Sequence, residues 1–193
     1  MRTLIDNLVL LARMEGDDVR HAEPFELAPL LDEIADSRRV ITPALRLDLD
    51  GAIDALVIGN RDEIHEAIAN VVDNAIKYAP GSPIRIAARP ADGGVEVTVA
   101  DEGPGIHEAD RAGIFDRFYR GSTRGDVEGS GLGLAIAKRA VERAGGTLVL
   151  AATSEAGTTF AFRLRADGVR IRPAQRPFAS DGSAAERVGV RPA

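Results

Sequence analysis

The chain of 193 residues has no cysteine, and only 4% of its residues are aromatic. The missing cysteines exclude disulfide bonds, thiolate metal sites and cysteine nucleophiles. The few aromatic side chains argue against a platform on which nucleic-acid bases could stack. Acidic residues outnumber basic ones, and the net charge of -6 at pH 7 disfavours contact with a phosphate backbone. We therefore expect no nucleic-acid partner.

Long hydrophobic runs are also missing from the sequence. A membrane-spanning helix needs about 20 consecutive apolar residues, and no stretch approaches that length. The N-terminus has no basic stretch leading into an apolar signal core. The chain as given is therefore expected to be soluble. Its length and its hydrophobic content of 45% suit one domain with a sizeable core, and a second full domain is not expected.

Composition and periodicity divide the chain into four regions. Within residues 1–16, the pattern at 2–14 predicts a helix with a wide apolar stripe, which is too short to be stable without a packing partner. Residues 17–25 are interpreted as a linker, and residues 26–166 carry the periodic patterns of a folded domain. From 167 to 193 arginine, proline, alanine and serine increase while periodicity disappears, which predicts a disordered tail.

The folded region combines strands with helices. Alternating patterns predict strands at 45–49, 84–87, 95–100, 147–151 and 159–164, with a weaker strand at 55–58. Helical periodicity predicts helices at 27–38, 61–78 and 132–144. Short turns at 91–94 and around 155–157 join neighbouring strands. This order predicts an α/β fold, a two-layer sandwich in which helices cover one face of a mixed, mostly antiparallel sheet.

The helix at 61–78 carries an unusual polar row. Glu66, Asn70, Asn74 and Lys77 fall on one arc beside the apolar stripe. Asparagine is unfavourable inside a helix because its side chain competes for backbone hydrogen bonds. The row could be a solvated helix face. It could equally be a magnesium and phosphate site, because amide and carboxylate oxygens suit a hard cation and lysine suits phosphate.

The strand at 95–100 leads directly into Asp101 and the glycines at 103 and 105. An aspartate followed by glycines can simply form a turn. Alternatively, Asp101 is an acceptor carboxylate at a pocket floor, where the glycines let a planar base approach the backbone closely.

Two further segments follow along the chain. Phe115 and Phe118 precede a polar, glycine-containing stretch, so they are either core residues or anchors of a mobile lid that would place Arg117 and Arg120 near phosphates. The segment GSGLG at 129–133 precedes the helix at 132–144. It is either a linker or an anion site formed by backbone N–H groups at the helix start, and it lacks the features of a Walker loop.

Taken in order, these segments resemble the histidine-kinase branch of the ATPase superfamily that includes gyrase, mismatch-repair and heat-shock chaperone ATPases. The resemblance covers about residues 26–165 and implies the Bergerat-type ATP-binding fold. Its five motifs are NVVDNAIKY at 70–78, DEGPG at 101–105, FDRF at 115–118, GSGLG at 129–133 and GTTF at 157–160.

The resemblance implies roles for single residues. Asn70 would ligate Mg2+, with Asn74 and Lys77 near the phosphates of ATP. Asp101 would accept the adenine amino group, helped through water by Thr158. The catalytic residues implied are Glu66, Asn70, Lys77 and Arg120. The implied nucleotide-binding set comprises Asn70, Asn74, Lys77, Tyr78, Asp101, Gly103, Gly105, Ile106, Phe118, Gly129, Gly131, Leu132, Gly133 and Thr158.

The resemblance extends to the first 16 residues, which look like the end of the second helix of a dimerisation and phosphoacceptor hairpin. The first helix, with its phosphorylated histidine, is not recognised here. His21, His65 and His107 are expected to be ordinary surface residues because none has the expected sequence context. The implied function is transfer of the γ-phosphoryl of Mg-ATP to a histidine on a separate hairpin.

Partners and location follow from the same resemblance. They are a response-regulator receiver domain, a homodimer in the complete protein, and a cytoplasmic position with the complete protein anchored in a membrane. Three alternatives remain open, namely a serine kinase of the anti-sigma-factor type, a non-enzymatic ATP-dependent binding module, and an inactive remnant.

Overall fold

The computed structural model describes residues 22–43, 45–49, 52–121 and 129–172. Within them the strands are β1 (Glu23–Glu26), β2 (Leu45–Leu49), β3 (Ala52–Gly59), β4 (Ile84–Ala91), β5 (Gly94–Asp101), β6 (Thr147–Ser154) and β7 (Gly157–Arg172). The helices are α1 (Leu27–Arg39), α2 (Arg61–Tyr78), α3 (Glu108–Arg111) and α4 (Gly133–Arg143). None of these helices is long and apolar enough to cross a membrane.

The seven strands form one sheet in the order β1-β3-β7-β5-β4-β2, with β6 also paired to β7. The pair of β2 and β4 is parallel, and the other described pairs are antiparallel. The long strand β7 pairs with β5 and β6 through its first half and with β3 through its second half. It therefore joins the two parts of the sheet.

One face of the sheet is buried beneath α1, α2 and α4. Ile86 pairs with Val99, and Val97 pairs with Phe162, so their side chains lie on the same face, and all four are almost fully buried. Leucine, isoleucine, valine and alanine side chains of the three helices complete a single core cluster with them. Burial of a large side chain such as Phe162 stabilises the fold by about 1.5–3 kcal/mol.

The opposite face carries a row of charges across three strands. Glu96 of β5 lies between Arg89 of β4 and Arg163 of β7 in the strand register. The Glu96 carboxylate accepts hydrogen bonds from Arg89 Nε at 2.8 Å and Arg163 Nε at 3.3 Å. These bonds, led by the one from Arg89, lower the pKa of Glu96 despite its burial. The row compensates a carboxylate whose side chain is only 8% exposed.

The predicted fold class and its main elements are confirmed. Helix α2 has the predicted bounds, and the weakly predicted strand at 55–58 is the centre of β3. The turn between β4 and β5 contains Gly93 with φ +74, a conformation that favours glycine. The short helix α3 is additional, because its four residues are too few to produce a periodic pattern.

Two boundaries differ from the sequence expectation. The strand β1 begins at Glu23, inside the predicted linker, because it pairs with β3 over four residues. The strand β7 continues to Arg172, inside the predicted tail, because it also pairs with β3. Non-local pairing of this kind leaves little trace in local composition. The helix predicted at the N-terminus, and residues 173–193 of the predicted tail, lie outside the described residues.

Candidate functional site

A cavity opens between α2, the carboxyl end of β5 and the segments before α4. Its lining combines an apolar wall with several polar groups, which is typical of a ligand site. The lining residues are Asn74, Ala75, Tyr78, Asp101, Pro104, Gly105, Ile106, His107, Asp110, Ile114, Tyr119, Arg120, Gly121, Leu134, Thr158 and Phe160.

Asp101 is the last residue of β5 and lines the floor of this cavity. Its carboxylate accepts a hydrogen bond from the backbone N–H of Gly103 at 2.9 Å. Burial raises the pKa of Asp101, and hydrogen bonds from the backbone of Gly103 and Thr158 oppose that shift. A side chain at position 103 would collide with Ala79, so glycine is required there. The result is a fixed acceptor in a partly desolvated position.

Glycine is also required at position 105, where φ is +72 and a Cβ would collide with the backbone carbonyl of Ser154. The next N–H, from Ile106, donates to Thr153 Oγ1 at 2.8 Å. Thr153 Oγ1 lies 3.4 Å from Thr158 Oγ1 across the β6–β7 hairpin. The loop after β5 is thus tied to the hairpin beside Asp101. Thr153 was missed from the sequence, because the motif at 157–160 draws attention only to Thr158.

The polar row lies on α2, whose first turn is stabilised by a side-chain cap. The Asn60 side chain caps the helix by accepting from the backbone N–H groups of Asp62 and Glu63. Asn74 of the row lines the cavity, and so does Tyr78, which follows the row by one residue. The Lys77 ammonium lies 5.0 Å from the centroid of the Tyr78 ring. Tyr78 therefore connects the end of the row to the cavity wall.

Asn70 and Lys77 lie against the glycines that precede and begin α4. The Asn70 carbonyl oxygen would be 3.5 Å from a Cβ at Gly133, and the Lys77 ammonium would collide with a Cβ at Gly129. The Asn70 amide nitrogen is buried and has no hydrogen-bond partner within the described part of the chain. A buried amide atom without a partner is costly in a finished fold, so this position fits a ligand group.

The two phenylalanines have different environments. Phe115 packs edge-on against Phe160 with ring centroids 6.1 Å apart, and so it belongs to the core. Phe118 is 59% exposed, does not line the cavity and has a positive φ of 63. Its N–H donates to the carbonyl of Gly131 at 3.0 Å. Gly131 itself has φ +69 and no room for a side chain. This contact locks the segment at 115–118 to the glycines before α4.

The cavity wall near Arg120 contains a buried carboxylate that was also missed from the sequence. Asp110 is 6% exposed and accepts a hydrogen bond from the Tyr119 hydroxyl at 2.8 Å. That bond raises the pKa of Tyr119 above its ordinary value of 10.0. No local signal identifies the pair, since Asp110 lies in a short helix and its partner is nine residues away.

The structure brings only some of the expected site residues to the cavity. Those that line it are Asn74, Tyr78, Asp101, Gly105, Ile106, Arg120 and Thr158. The others do not line it and are Glu66, Asn70, Lys77, Gly103, Phe118, Gly129, Gly131, Leu132 and Gly133. Leu132 is fully buried in the core at the start of α4. Residues 122–128 of the expected lid lie outside the described residues.

The geometry agrees with comparisons to known proteins. A family model described as "Histidine kinase-, DNA gyrase B-, and HSP90-like ATPase" matches residues 59–168, more than half of the chain and all of the cavity lining. The chain belongs to this ATPase family. The expected resemblance is therefore confirmed, and the cavity lies in an ATP-binding domain of the histidine kinase type.

Individual relatives are signal transduction histidine-protein kinases. The histidine-protein kinase/phosphatase MprB of Mycobacterium ulcerans is 35% identical over 159 residues, which are 81% of this chain and 31% of that protein. The histidine-protein kinase AfsQ2 of Streptomyces coelicolor is 32% identical over 169 residues, 86% of this chain and 31% of that protein. The chain thus spans less than a third of these relatives.

A solved structure resembles the described fold closely. It is the mycobacterial sensor histidine kinase MprB, with a TM-score of 0.65 and 30% sequence identity. The match covers 80% of this chain and 100% of that one.

Proposed function

We propose that this chain binds Mg-ATP in the cavity and donates the γ-phosphoryl group to a histidine on a phosphoacceptor hairpin. The observation that carries the proposal is Asp101, a partly desolvated carboxylate held at the cavity floor by backbone N–H groups. A carboxylate so fixed is a suitable acceptor for the exocyclic amino group of adenine. Thr158, which also lines the floor, would add a second contact through water.

The phosphates would extend from the adenine toward the polar row of α2. Asn74 lines the cavity on that side, and Lys77 lies beside Gly129. Lysine and a glycine-rich helix start both favour phosphate, through charge and through free backbone N–H groups. In this arrangement Gly131 and Gly133 would approach the phosphates through their backbone, while Leu132 anchors the helix in the core.

The position of Asn70 fits a magnesium ligand. Its amide oxygen, which would ligate the ion, faces the start of α4, 3.5 Å from where a Cβ at Gly133 would lie. Its buried amide nitrogen has no partner within the described residues and would donate to a phosphate oxygen. Mg2+ usually retains several waters and takes few protein ligands, so one amide oxygen together with phosphate oxygens is a suitable donor set. When bound, the ion would neutralise charge on the phosphates.

Phosphoryl transfer depends on positioning and charge neutralisation more than on covalent protein chemistry. Arg120, on the cavity wall, would contact the γ-phosphate. Glu66 would polarise the attacking imidazole or a water, a role that would require the incoming hairpin to bring the histidine near the start of the polar row. The phosphate would then pass from the histidine to an aspartate of a response-regulator receiver domain.

The wider organisation of the protein is part of the proposal. Residues 1–16 would end the second helix of a dimerisation and phosphoacceptor hairpin, residues 17–22 would link it to the ATP-binding domain that begins with β1, and residues after Arg172 would form a tail. The complete kinase would be a homodimer that is anchored in a membrane and carries this domain on the cytoplasmic side. The relatives are named signal transduction histidine-protein kinases, which supports a signalling role for the complete protein.

Calorimetry of ATP binding to the Asp101→Asn variant tests the proposal. The amide cannot replace a fixed anionic acceptor, so measurable ATP binding should be lost. The matched control is Asp92→Asn, which changes the same group in the exposed turn between β4 and β5, where aspartate and asparagine are both favoured before glycine. If Asp101→Asn binds ATP with the affinity of the unmodified chain, the cavity assignment is wrong.

A further inference from the structure

Residues 119–121 contact the carboxylate of Asp110, a residue of α3. Asp110 is 6% exposed, and its Oδ1 accepts a hydrogen bond from the Tyr119 hydroxyl at 2.8 Å. Burial of an aspartate is costly unless its oxygens are hydrogen bonded. The Tyr119 bond therefore connects a position fixed by the fold to the segment that follows Phe118.

Two glycines make this close approach possible. A Cβ at Gly113 would lie 2.8 Å from the Tyr119 ring, and a Cβ at Gly121 would lie 2.9 Å from Asp110 Oδ2. Both distances are too short for ordinary side-chain contacts. The Tyr119 ring thus packs over Gly113, and the backbone at Gly121 lies directly on the Asp110 carboxylate.

Arg120 is held between these two contacts. Asp110, Tyr119, Arg120 and Gly121 all line the cavity. A long, flexible arginine side chain acts at a defined point only when its backbone is fixed, because ordering it costs conformational entropy.

We propose that Asp110 and Tyr119 form a positioning pair that fixes the backbone of Arg120 so that its guanidinium meets the γ-phosphate of ATP. This inference rests on the proposed function and goes beyond it, because neither residue belongs to the motifs that carry the resemblance. The pair acts through Arg120 and does not itself react.

Comparison of ATP with ADP separates positioning from a general structural role. Loss of the Tyr119 hydroxyl in Tyr119→Phe keeps the ring packed over Gly113. It should weaken ATP binding about three- to tenfold, the value of one hydrogen bond, and ADP binding by less than about twofold. Equal weakening of both nucleotides, or no weakening of either, would overturn the proposal.

A double-mutant cycle with Arg120→Ala makes the test more specific. If the pair acts through Arg120, Tyr119→Phe should add no further loss of ATP affinity in the Arg120→Ala background. Additive losses would show that Tyr119 acts elsewhere.

A second test uses substitutions of Asp110. The amide oxygen in Asp110→Asn can still accept the hydrogen bond from Tyr119, so this variant should retain more ATP affinity than Asp110→Ala. Thermal unfolding of each variant verifies that it is folded.

The pair itself has a spectroscopic signature. The chain has two tyrosines and no tryptophan, so tyrosinate absorbance during alkaline titration reports only Tyr78 and Tyr119. One tyrosine should titrate above the ordinary pKa, and this component should disappear in Tyr119→Phe. Absence of a component above the ordinary tyrosine pKa would contradict the bond between Tyr119 and Asp110.

Failure of this inference can be distinguished from failure of the proposed function. If the unmodified chain does not bind ATP, the proposed function is wrong. If the unmodified chain binds ATP more tightly than ADP and Tyr119→Phe retains that preference, only the positioning pair is wrong.

Discussion

The protonation of Asp101 should make both folding stability and ATP binding depend on pH. Burial raises its pKa above the ordinary value of 3.8. As pH rises through the raised pKa, ionisation of the buried group costs folding stability, whereas below the ordinary pKa both folded and unfolded states are protonated and this cost is absent. For the proposed contact with adenine the sign is opposite, because the ionised form would be the better acceptor for the amino group. Folding and binding thus respond to this proton in opposite directions.

Calorimetric titration of ATP across the acid range tests this relation. Affinity should fall as pH decreases through the raised pKa of Asp101, beginning at higher pH than an ordinary aspartate would give. ATP also gains protons on acidification, so each affinity is corrected for the protonation of free ATP. The control for the protein is Asp92→Asn, which keeps Asp101 and should follow the unmodified chain. A constant affinity through this range would mean that Asp101 does not act as an ionised acceptor.

Single residues also mark where sequence reasoning reaches its limit. Asp101 could be predicted because a strand pattern ends at it and glycines follow. Asp110 and Tyr119 could not be paired, since their contact depends on how residues 112–118 fold back and on the space left by Gly113. Cavity residues that are brought together only by tertiary packing cannot be predicted from the local sequence.

At the scale of secondary-structure elements, the row of charges across β4, β5 and β7 shows how the exposed sheet face tolerates a buried glutamate. The side chain of Glu96 is 8% exposed, while the side chains of Arg89 and Arg163 are 66% and 70% exposed. Removal of an arginine leaves the buried carboxylate with fewer donors. Removal of the glutamate leaves two arginines that water already reaches.

Arg89→Ala is therefore expected to lower the free energy of unfolding by about 1 kcal/mol at neutral pH, because one hydrogen-bonding partner of a buried carboxylate is lost. The pKa of Glu96 is depressed below 4.5, so its stabilising contribution is present above that value and is lost as pH falls through the depressed pKa. Urea unfolding at neutral and acidic pH measures the difference, which should shrink in acid.

The control for this prediction is Arg139→Ala, which removes an exposed arginine from α4. Surface substitutions of this kind usually change stability by less than about 0.5 kcal/mol. If both variants lose the same stability, or if the loss in Arg89→Ala persists in acid, the charge row does not stabilise Glu96.

The elements that could be predicted are those whose signals are local. Helix α2 has a capping residue, Asn60, an uninterrupted apolar period and an abrupt stop before the glycine at 81. The outer strand β1 and the second half of β7 were assigned to linker and tail, because each becomes a strand only through pairing with β3. The sequence VRIR at 169–172 does alternate, but four residues beside a glycine are a weak pattern.

At the scale of the whole molecule, the chain corresponds to 31% of the length of the relatives compared. The proposed function predicts that this chain phosphorylates an acceptor hairpin supplied in trans. With γ-labelled ATP and a separately made hairpin that bears a helical histidine, label should appear on the hairpin. A hairpin in which that histidine is alanine provides the control.

The chemistry of the product separates the alternatives. Phosphohistidine is labile in acid, whereas phosphoserine survives it, so acid-stable label would favour a serine kinase. ATP binding in calorimetry without label on the hairpin would favour a binding module. Absence of both would favour an inactive remnant and would contradict the proposed kinase.

The long strand β7 has a consequence for the order in which the protein is made. It supplies Thr158 to the cavity, and it is the neighbour that both β5 and β3 require to complete their pairing. A ribosome synthesises the chain from its N-terminus, at about 5–20 residues per second. Until β7 has emerged, β3 and β5 each lack a neighbour, β6 lacks the strand it pairs with, and the cavity lacks the wall that contains Thr158. The proposed ATP site would be complete only after that point, and until then the unpaired strand edges can pair with other chains.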